Sequence, residues 1–136
     1  MVNSADAKVI INGGEFTICG LAEGDTGHID LIYVSQGTVE INGGYFYGAD
    51  DTVWLLNCKD TFYEDGTASI VVKGGTFVGF NPKDCVSEGE HTSFLAEGYD
   101  VVKETIDNVD YYTVVEVVEE TIPEVEEQAP ETPDEF

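Results

Sequence analysis

The stretch Ile11-Asn12-Gly13-Gly14-Glu15-Phe16 recurs twice further along the chain. Its second copy is Ile41-Asn42-Gly43-Gly44-Tyr45-Phe46, and its third is Val72-Lys73-Gly74-Gly75-Thr76-Phe77. The copies begin 30 and then 31 residues apart. A repeat at such a period indicates stacked supersecondary units. We therefore expect the three copies to lie side by side in the folded chain.

Each copy combines a strand, a turn and a ring in the same order. The residues before the glycines are rich in β-branched side chains, which suit a pleated, half-buried surface. The glycine pair allows a sharp turn, because glycine reaches positive φ without a Cβ clash. Stacking predicts one ladder of phenylalanines and a second ladder of aliphatic residues inside the fold. The structural repeat residues are Ile11, Gly13, Gly14, Phe16, Ile41, Gly43, Gly44, Phe46, Val72, Gly74, Gly75 and Phe77.

A further strand-like run follows the motif in two of the units, at residues 28–34 and 52–57. Each unit is then two or three short strands, and about 30 residues suit one three-sided turn of a solenoid. The sequence therefore predicts an all-β, right-handed, single-stranded parallel β-helix of about three coils of roughly 30 residues. A β-sandwich is the alternative, since its strands are also short and regularly spaced. A sandwich, however, needs no repeated glycine motif.

The predicted organisation has three parts. The β-helix coils occupy residues 1–97. Residues 98–115 are predicted to form a β-hairpin cap, because two strand-like runs flank a turn at Asp107-Asn108. Residues 116–136 contain nine acids, no basic residue and three prolines. That composition predicts an acidic tail that is either disordered or a docking strand.

Charge limits the partners that the chain can have. The 136 residues carry 28 acids against five lysines and no arginine, which gives a net charge of −23. Nucleic-acid partners are excluded, because phosphate binding needs clustered Lys or Arg. Anionic membranes are disfavoured for the same reason, and no apolar run has the length of about 18 residues that a membrane span needs. A basic partner surface, or weak calcium binding at acidic turns, is compatible with the charge.

Asp50-Asp51 is the best candidate for enzymatic chemistry, because it follows a repeat strand at a turn. Paired carboxylates hydrolyse a glycosidic bond when they flank it about 5–10 Å apart. In an acid-rich chain, however, solvated turn residues are the better explanation of the pair. We therefore predict no catalytic residues.

The histidines and cysteines predict neither a metal site nor a cofactor. His28 and His91 have no second His or Cys at ligand spacing, so we interpret both as surface histidines. Cys19, Cys58 and Cys85 form no metal motif and no evident disulfide framework. We expect them to be buried free thiols, as free cysteines usually are.

Four aromatic residues are candidates for contact with a partner. Tyr45 and Tyr47 alternate with Phe46 and are therefore expected to face outward. Exposed tyrosines beside Trp54 could stack on a sugar or contact a protein. Phe136 is a candidate anchor at the end of the acidic tail.

The glycine repeat, together with residues 79–82 and 97–102, gives the chain a family resemblance. It resembles the pectate-lyase-like β-helix segments in structural proteins of tailed bacteriophages, which include head fibres, capsid-decorating proteins and tail fibres. The resemblance spans Val9 to Val115. It implies a non-enzymatic virion component that forms a homotrimer or attaches to other virion proteins, with host surface glycans as further partners.

Two other classes of protein stay open. The first is a carbohydrate-active β-helix enzyme, either a hydrolase or a lyase. Hydrolases of that type carry Gly-His-Gly and Arg-x-Lys motifs, and the lyases use an arginine as base; neither motif nor any arginine occurs here. The second is a fragment of a bacterial surface adhesin.

Overall fold

The computed structural model describes residues 1–117, which fold into nine strands and one short helix. The chain is thus all-β, as the sequence predicts. In chain order the elements are β1 (Val2–Ile11), β2 (Glu15–Ile18), β3 (Ile29–Ile41), β4 (Tyr45–Gly48), β5 (Val53–Cys58), α1 (Asp60–Glu64), β6 (Ala68–Val72), β7 (Thr76–Val78), β8 (Tyr99–Ile106) and β9 (Val109–Glu116).

The first sheet is entirely parallel and is built around β3. β1 pairs with β3 so that Ile11 lies beside Ile41. β6 pairs with the same half of β3 and brings Val72 beside Ile41, while β5 pairs with the other half of β3. The strand that precedes each glycine pair therefore lies next to its counterparts.

The second sheet has mixed orientation, in the order β2-β4-β7-β9-β8. β2, β4 and β7 are parallel, and each contributes the strand that follows a glycine pair. β9 pairs antiparallel with β7, and β8 pairs antiparallel with β9. Residues Asp107 and Asn108 form the two-residue turn of this hairpin with φ of 52° and 67°. Asp and Asn tolerate such angles better than other side chains do, which suits a hairpin turn.

The prediction of a single-stranded parallel β-helix is wrong. The strands form two distinct sheets, and the second of them includes antiparallel pairs. The main physical reason lies in β3, which runs without interruption from Ile29 to Ile41. It joins two segments that a three-sided coil would separate by a corner. After β7, moreover, the chain leaves the repeat through a loop and returns as the antiparallel hairpin.

The repeat nevertheless organises the contact between the sheets. The rings of Phe16 and Phe46 stack with centroids 5.1 Å apart, and those of Phe46 and Phe77 stack at 4.7 Å. Phe46 and Phe77 are fully buried, together with Ile41 and Val72. The second glycine of each pair has a positive φ, between 99° and 122°. Only glycine adopts that conformation freely, so the motif needs it for the turn between the sheets.

The two ends of the repeat differ in how they are covered. At the third repeat the loop that follows β7 bonds to β6, through Val72 N–H to Phe94 O and Ala96 N–H to Val72 O. The hairpin covers β7 at the same end. At the first repeat, no other strand of residues 1–117 pairs with the outer edges of β1 and β2. We call β1, β2 and the ring of Phe16 the open end.

The hairpin that was predicted over residues 98–115 corresponds to β8 and β9. Of the predicted acidic tail, residues 118–136, including Phe136, lie outside the described residues. Within residues 1–117 no helix has the length and apolar character needed to cross a membrane.

Candidate functional site

A cluster of polar and aromatic side chains lies beside the carboxyl end of β5. We call it the polar cleft, and it is lined by His28, Trp54, Asn57, Asp60 and Glu88. The parallel pairing of β3 with β5 creates it, because Asp30 is held beside Trp54 in register. The cleft has a volume of about 480 Å³, which is within the range of small-ligand sites.

His28 and Trp54 form the aromatic wall of the polar cleft. Their rings are parallel to within 7°, with centroids 3.7 Å apart. His28 Nε2 also lies 3.2 Å from Asp30 Oδ1. Burial raises the pKa of Asp30, although the hydrogen bond from Asn57 and the nearby His28 act in the opposite direction. His28 is exposed, as the sequence predicts, but it also stacks on Trp54 and lies beside Asp30.

Asn57 forms the floor of the polar cleft and is buried. Its Nδ2 atom donates long hydrogen bonds to the two oxygens of Asp30, at 3.3 and 3.4 Å. Its Oδ1 atom receives no hydrogen bond from any residue between 1 and 117. Buried polar atoms are normally paired, so the cleft lacks a hydrogen-bond donor for this acceptor.

Glu88 reaches into the polar cleft from the loop that follows β7. Its Oε2 atom accepts a hydrogen bond of 2.6 Å from the backbone N–H of Cys58, whereas its Oε1 atom is buried without a partner in the described chain. Burial is the main cause that raises the pKa of Glu88 to about 7. The Cys58 N–H lowers it, and the nearby carboxyl of Asp60 raises it further. Asp60 is the first residue of α1.

The raised pKa of Glu88 makes stability depend on pH. Between about pH 4.5 and 7 the folded chain keeps a proton that the unfolded chain has lost, so the free energy of unfolding falls as pH rises through this window. Each pKa unit corresponds to about 1.4 kcal/mol, and because Glu88 is partly open to solvent we expect about 1 to 2 kcal/mol in total. Glu88→Gln should remove that loss. In urea unfolding, the free energy of unfolding of the variant should therefore rise relative to that of the wild type between pH 5 and pH 8.

Glu90→Gln is the matched control for this measurement, since Glu90 is exposed in the same loop. We expect its stability relative to the wild type to change little between the two pH values. A pH dependence that is the same for wild type and Glu88→Gln would show that Glu88 is not the group responsible.

The structure assigns Asp50 a role in a turn. Its carboxylate accepts hydrogen bonds from the backbone N–H and from the hydroxyl of Thr52. These hydrogen bonds hold the pKa of Asp50 below its usual range. Asp51 is exposed beside it, and both residues lie at a separate shallow cleft near the hairpin. Asp50 and Asp51 are therefore not part of the polar cleft.

The aromatic candidates are not brought together. Tyr45 is half-buried, Tyr47 is exposed beside the shallow cleft of Asp50, and Trp54 belongs to the polar cleft. His91 is exposed and lies 2.9 Å from Asp84. The prediction of buried thiols is right for Cys58 and wrong for Cys19, which is exposed, while Cys85 is half-buried.

The open end is the second candidate site, and it is apolar. On β1, Val9 keeps 39% and Ile10 keeps 51% of their possible exposure. Phe16 and Ile11 are half-buried, whereas their counterparts in the second and third repeats are buried. The strands of the open end carry only two acids, Asp6 and Glu15, and one lysine. This surface is therefore close to neutral in a strongly acidic protein.

Sequence reasoning missed the polar cleft, because Asn57, Asp60 and Glu88 belong to no motif. One signal was available in the two strand-like runs at residues 28–34 and 52–57. Aligning them as neighbouring strands would have brought His28 and Asp30 close to Trp54.

No protein-family model, no curated protein and no solved structure matches the chain. Within residues 1–117 there is also no group of three or more His, Cys, Asp or Glu side chains arranged to hold a metal ion. The open end and the polar cleft are therefore the two features of the molecule that bear on function.

Proposed function

We propose that this chain is a non-enzymatic structural module that assembles with a second copy of itself through the open end. The single observation that carries the proposal is the contrast between the two ends of the repeat. The repeat is covered at one end by a loop and a hairpin, and at the other end it presents the unpaired edges of β1 and β2 beside apolar side chains. Within residues 1–117 the outer edge of β8 is also unpaired, but it belongs to the hairpin and not to the repeat. Exposed edges of this kind are templates for pairing with another strand.

Charge favours a second copy at this surface. The open end carries one lysine against two acids, while the whole chain has a net charge of −23. Two copies repel each other least when they meet at their least charged surfaces. Residual repulsion between the acidic bodies is screened by salt, so association should strengthen as the ionic strength rises.

The geometry of an edge favours a dimer. One edge of β1 accepts one further strand, and a two-fold axis places the two β1 strands antiparallel with identical surfaces in contact. The phage resemblance implies a trimer instead. A molar mass measurement in solution separates the two assemblies.

Ile10→Lys tests the proposed contact. It places a charge on the exposed edge of β1, which is a common device against edge pairing. In sedimentation velocity we expect a wild-type dimer that becomes more populated with added NaCl, and a dissociation constant raised about tenfold or more by Ile10→Lys. Circular dichroism should show unchanged strand content in the variant.

Val102→Lys is the matched control, because Val102 is an exposed valine on β8, at the other end of the molecule. We expect it to leave the dimer intact. The proposal is wrong if the wild type is a monomer at every salt concentration, or if Val102→Lys dissociates the assembly and Ile10→Lys does not.

The sequence supports a role without catalysis. It contains neither the Gly-His-Gly and Arg-x-Lys motifs of β-helix hydrolases nor the arginine that the lyases use as base. Within this proposal we place the module in a phage virion, on the strength of the resemblance carried by the glycine repeat. Immunogold labelling of purified particles tests that placement. Labelling of bacterial cell walls alone would favour the adhesin instead.

A further inference from the structure

Two buried side-chain acceptors beside the polar cleft lack donors from residues 1–117. Asn57 keeps only 8% of its possible exposure, and its Oδ1 atom receives no donor from residues 1–117. Glu88 Oε1 is likewise buried and receives no donor from these residues. Turning the Asn57 amide over would set its oxygen against the carboxylate of Asp30, so the orientation is chemically determined. A ligand that carries several donors would complete the cleft.

The negative charge around the polar cleft favours a cationic ligand. The side chains of Asp60, Glu64 and Glu88 line it, and Asp30 lies directly behind Asn57. The nearest lysine, Lys59, holds its Nζ atom 5.2 Å from the ring centroid of Phe62. The acids of the cleft therefore exceed the basic groups around it, and the field of the whole chain has the same sign.

An organic cation fits the polar cleft better than a metal ion does. The described residues provide no group of three His, Cys, Asp or Glu ligands for a metal. The stacked pair of His28 and Trp54 instead offers a flat aromatic surface. A guanidinium group is planar, carries five N–H donors and stacks on aromatic rings. The chain contains no arginine, so such a group must come from another molecule.

We propose that the polar cleft binds a guanidinium group, which donates to Asn57 Oδ1 and Glu88 Oε1 and packs against Trp54. The inference does not depend on assembly through the open end. It assigns the cleft a ligand class, the arginine side chain or a small molecule with the same head group.

Trp54 is the only tryptophan in the chain, so its fluorescence reports directly on the polar cleft. The probe is Nα-acetyl-arginine amide, titrated at pH 8 and at constant ionic strength set with NaCl. Concentrations stay below about 50 mM, far under the molar range in which guanidinium salts unfold proteins. We expect a saturable change in the emission of Trp54. Nα-acetyl-lysine amide should bind several-fold more weakly, because its ammonium lacks the planar fork of donors.

Two variants test the acceptors. Glu88→Gln keeps an oxygen for the Cys58 N–H but removes the charge, and Asp60→Asn removes a charge from an exposed position. Glu88→Gln should raise the dissociation constant about tenfold, the usual cost of losing a hydrogen bond to a charged group. Asp60→Asn should raise it several-fold, because a negative charge beside the ligand is lost. Asp107→Asn is the matched control, because it removes one charge at the distant hairpin turn, and it should leave binding unchanged.

Three results would overturn the proposal. They are a linear, unsaturable response to the arginine probe, a saturable response to CaCl₂ in its place, or equal affinities for wild type, Glu88→Gln and Asp60→Asn. Free L-arginine then distinguishes the sources of the ligand. Tighter binding of the blocked probe indicates an arginine side chain of a protein partner, and tighter binding of the free amino acid indicates a small-molecule ligand.

Discussion

Phe46→Ala is expected to lower the free energy of unfolding by about 3–5 kcal/mol, the usual cost of truncating a buried aromatic residue. Phe46 is fully buried and lies between two other rings, with Phe16 at 5.1 Å and Phe77 at 4.7 Å. Its removal leaves a cavity in the middle of the stack and abolishes both ring contacts. The loss is a large part of the about 5–15 kcal/mol that stabilises a typical domain.

Urea unfolding followed by circular dichroism measures this loss, and Phe16→Ala is the matched control. Phe16 occupies the same position in the first repeat, but it has one stacked neighbour and is half-buried. We expect it to lose about 1–2 kcal/mol, since less apolar surface returns to water. Equal losses for the two variants would show that Phe16 and Phe46 are equally buried and that the stack of rings has no exposed end.

Gly74→Ala is expected to cost about 3 kcal/mol, at the upper end of what overpacking usually costs. A Cβ atom on Gly74 would lie 2.2 Å from the carbonyl oxygen of Asn42 in the preceding repeat. That oxygen belongs to the backbone, so a side-chain rotation cannot relieve the clash. The repeats must separate locally, which weakens the pairing of β6 and β7 with their neighbours.

The same substitution in the other repeats forms an internal series. A Cβ atom on Gly43 would lie 2.7 Å from the carbonyl oxygen of Asn12, whereas one on Gly13 would meet no atom within 4 Å. We therefore expect about 1–2 kcal/mol for Gly43→Ala and less than about 0.5 kcal/mol for Gly13→Ala. A large effect of Gly13→Ala would mean that another layer covers the first repeat in solution or that the conformation itself requires glycine.

The glycine repeat shows how much of the fold the sequence determines. Each copy places an aliphatic residue, a glycine pair and a phenylalanine at the same spacing, as Ile41 and Phe46 do around the glycine pair of the second copy. This spacing is enough to predict neighbouring strands and stacked rings. The side chain of Asn42 adds a direct link between copies, because its Nδ2 atom donates to Asn12 Oδ1 at 2.9 Å. The all-β class follows from the same residues.

The path of the chain between repeats could not be predicted from the motif. A three-sided coil would turn between the strand-like run at residues 28–34 and the strand that ends at Ile41, but Gly37 lies inside the continuous strand β3 at a φ of 109°. A Cβ atom there would lie 2.6 Å from the carbonyl oxygen of Ser4, so close approach of β1 explains this glycine. The local sequence at Gly37 is compatible with either a corner or a continuous strand. The packing of β1 against β3 determines that a continuous strand forms.

The polar cleft depends on contacts that no local pattern encodes. Glu88 joins Cys58 across 30 residues, and its position depends on the conformation of an irregular loop. The two carboxyl groups of Asp60 and Glu88 meet only after β5, α1 and that loop have packed together. The raised pKa of Glu88 is therefore a property of the folded chain.

The position of Cys19 has a practical consequence. It is exposed directly after β2, while Cys58 is buried with its pKa raised to about 12, and burial also raises the pKa of the half-buried Cys85. Thiolates are the reactive species, so a maleimide at neutral pH should modify Cys19 first. A spin label or dye attached there would sit at the open end, where the separation of two labels reports how the copies meet.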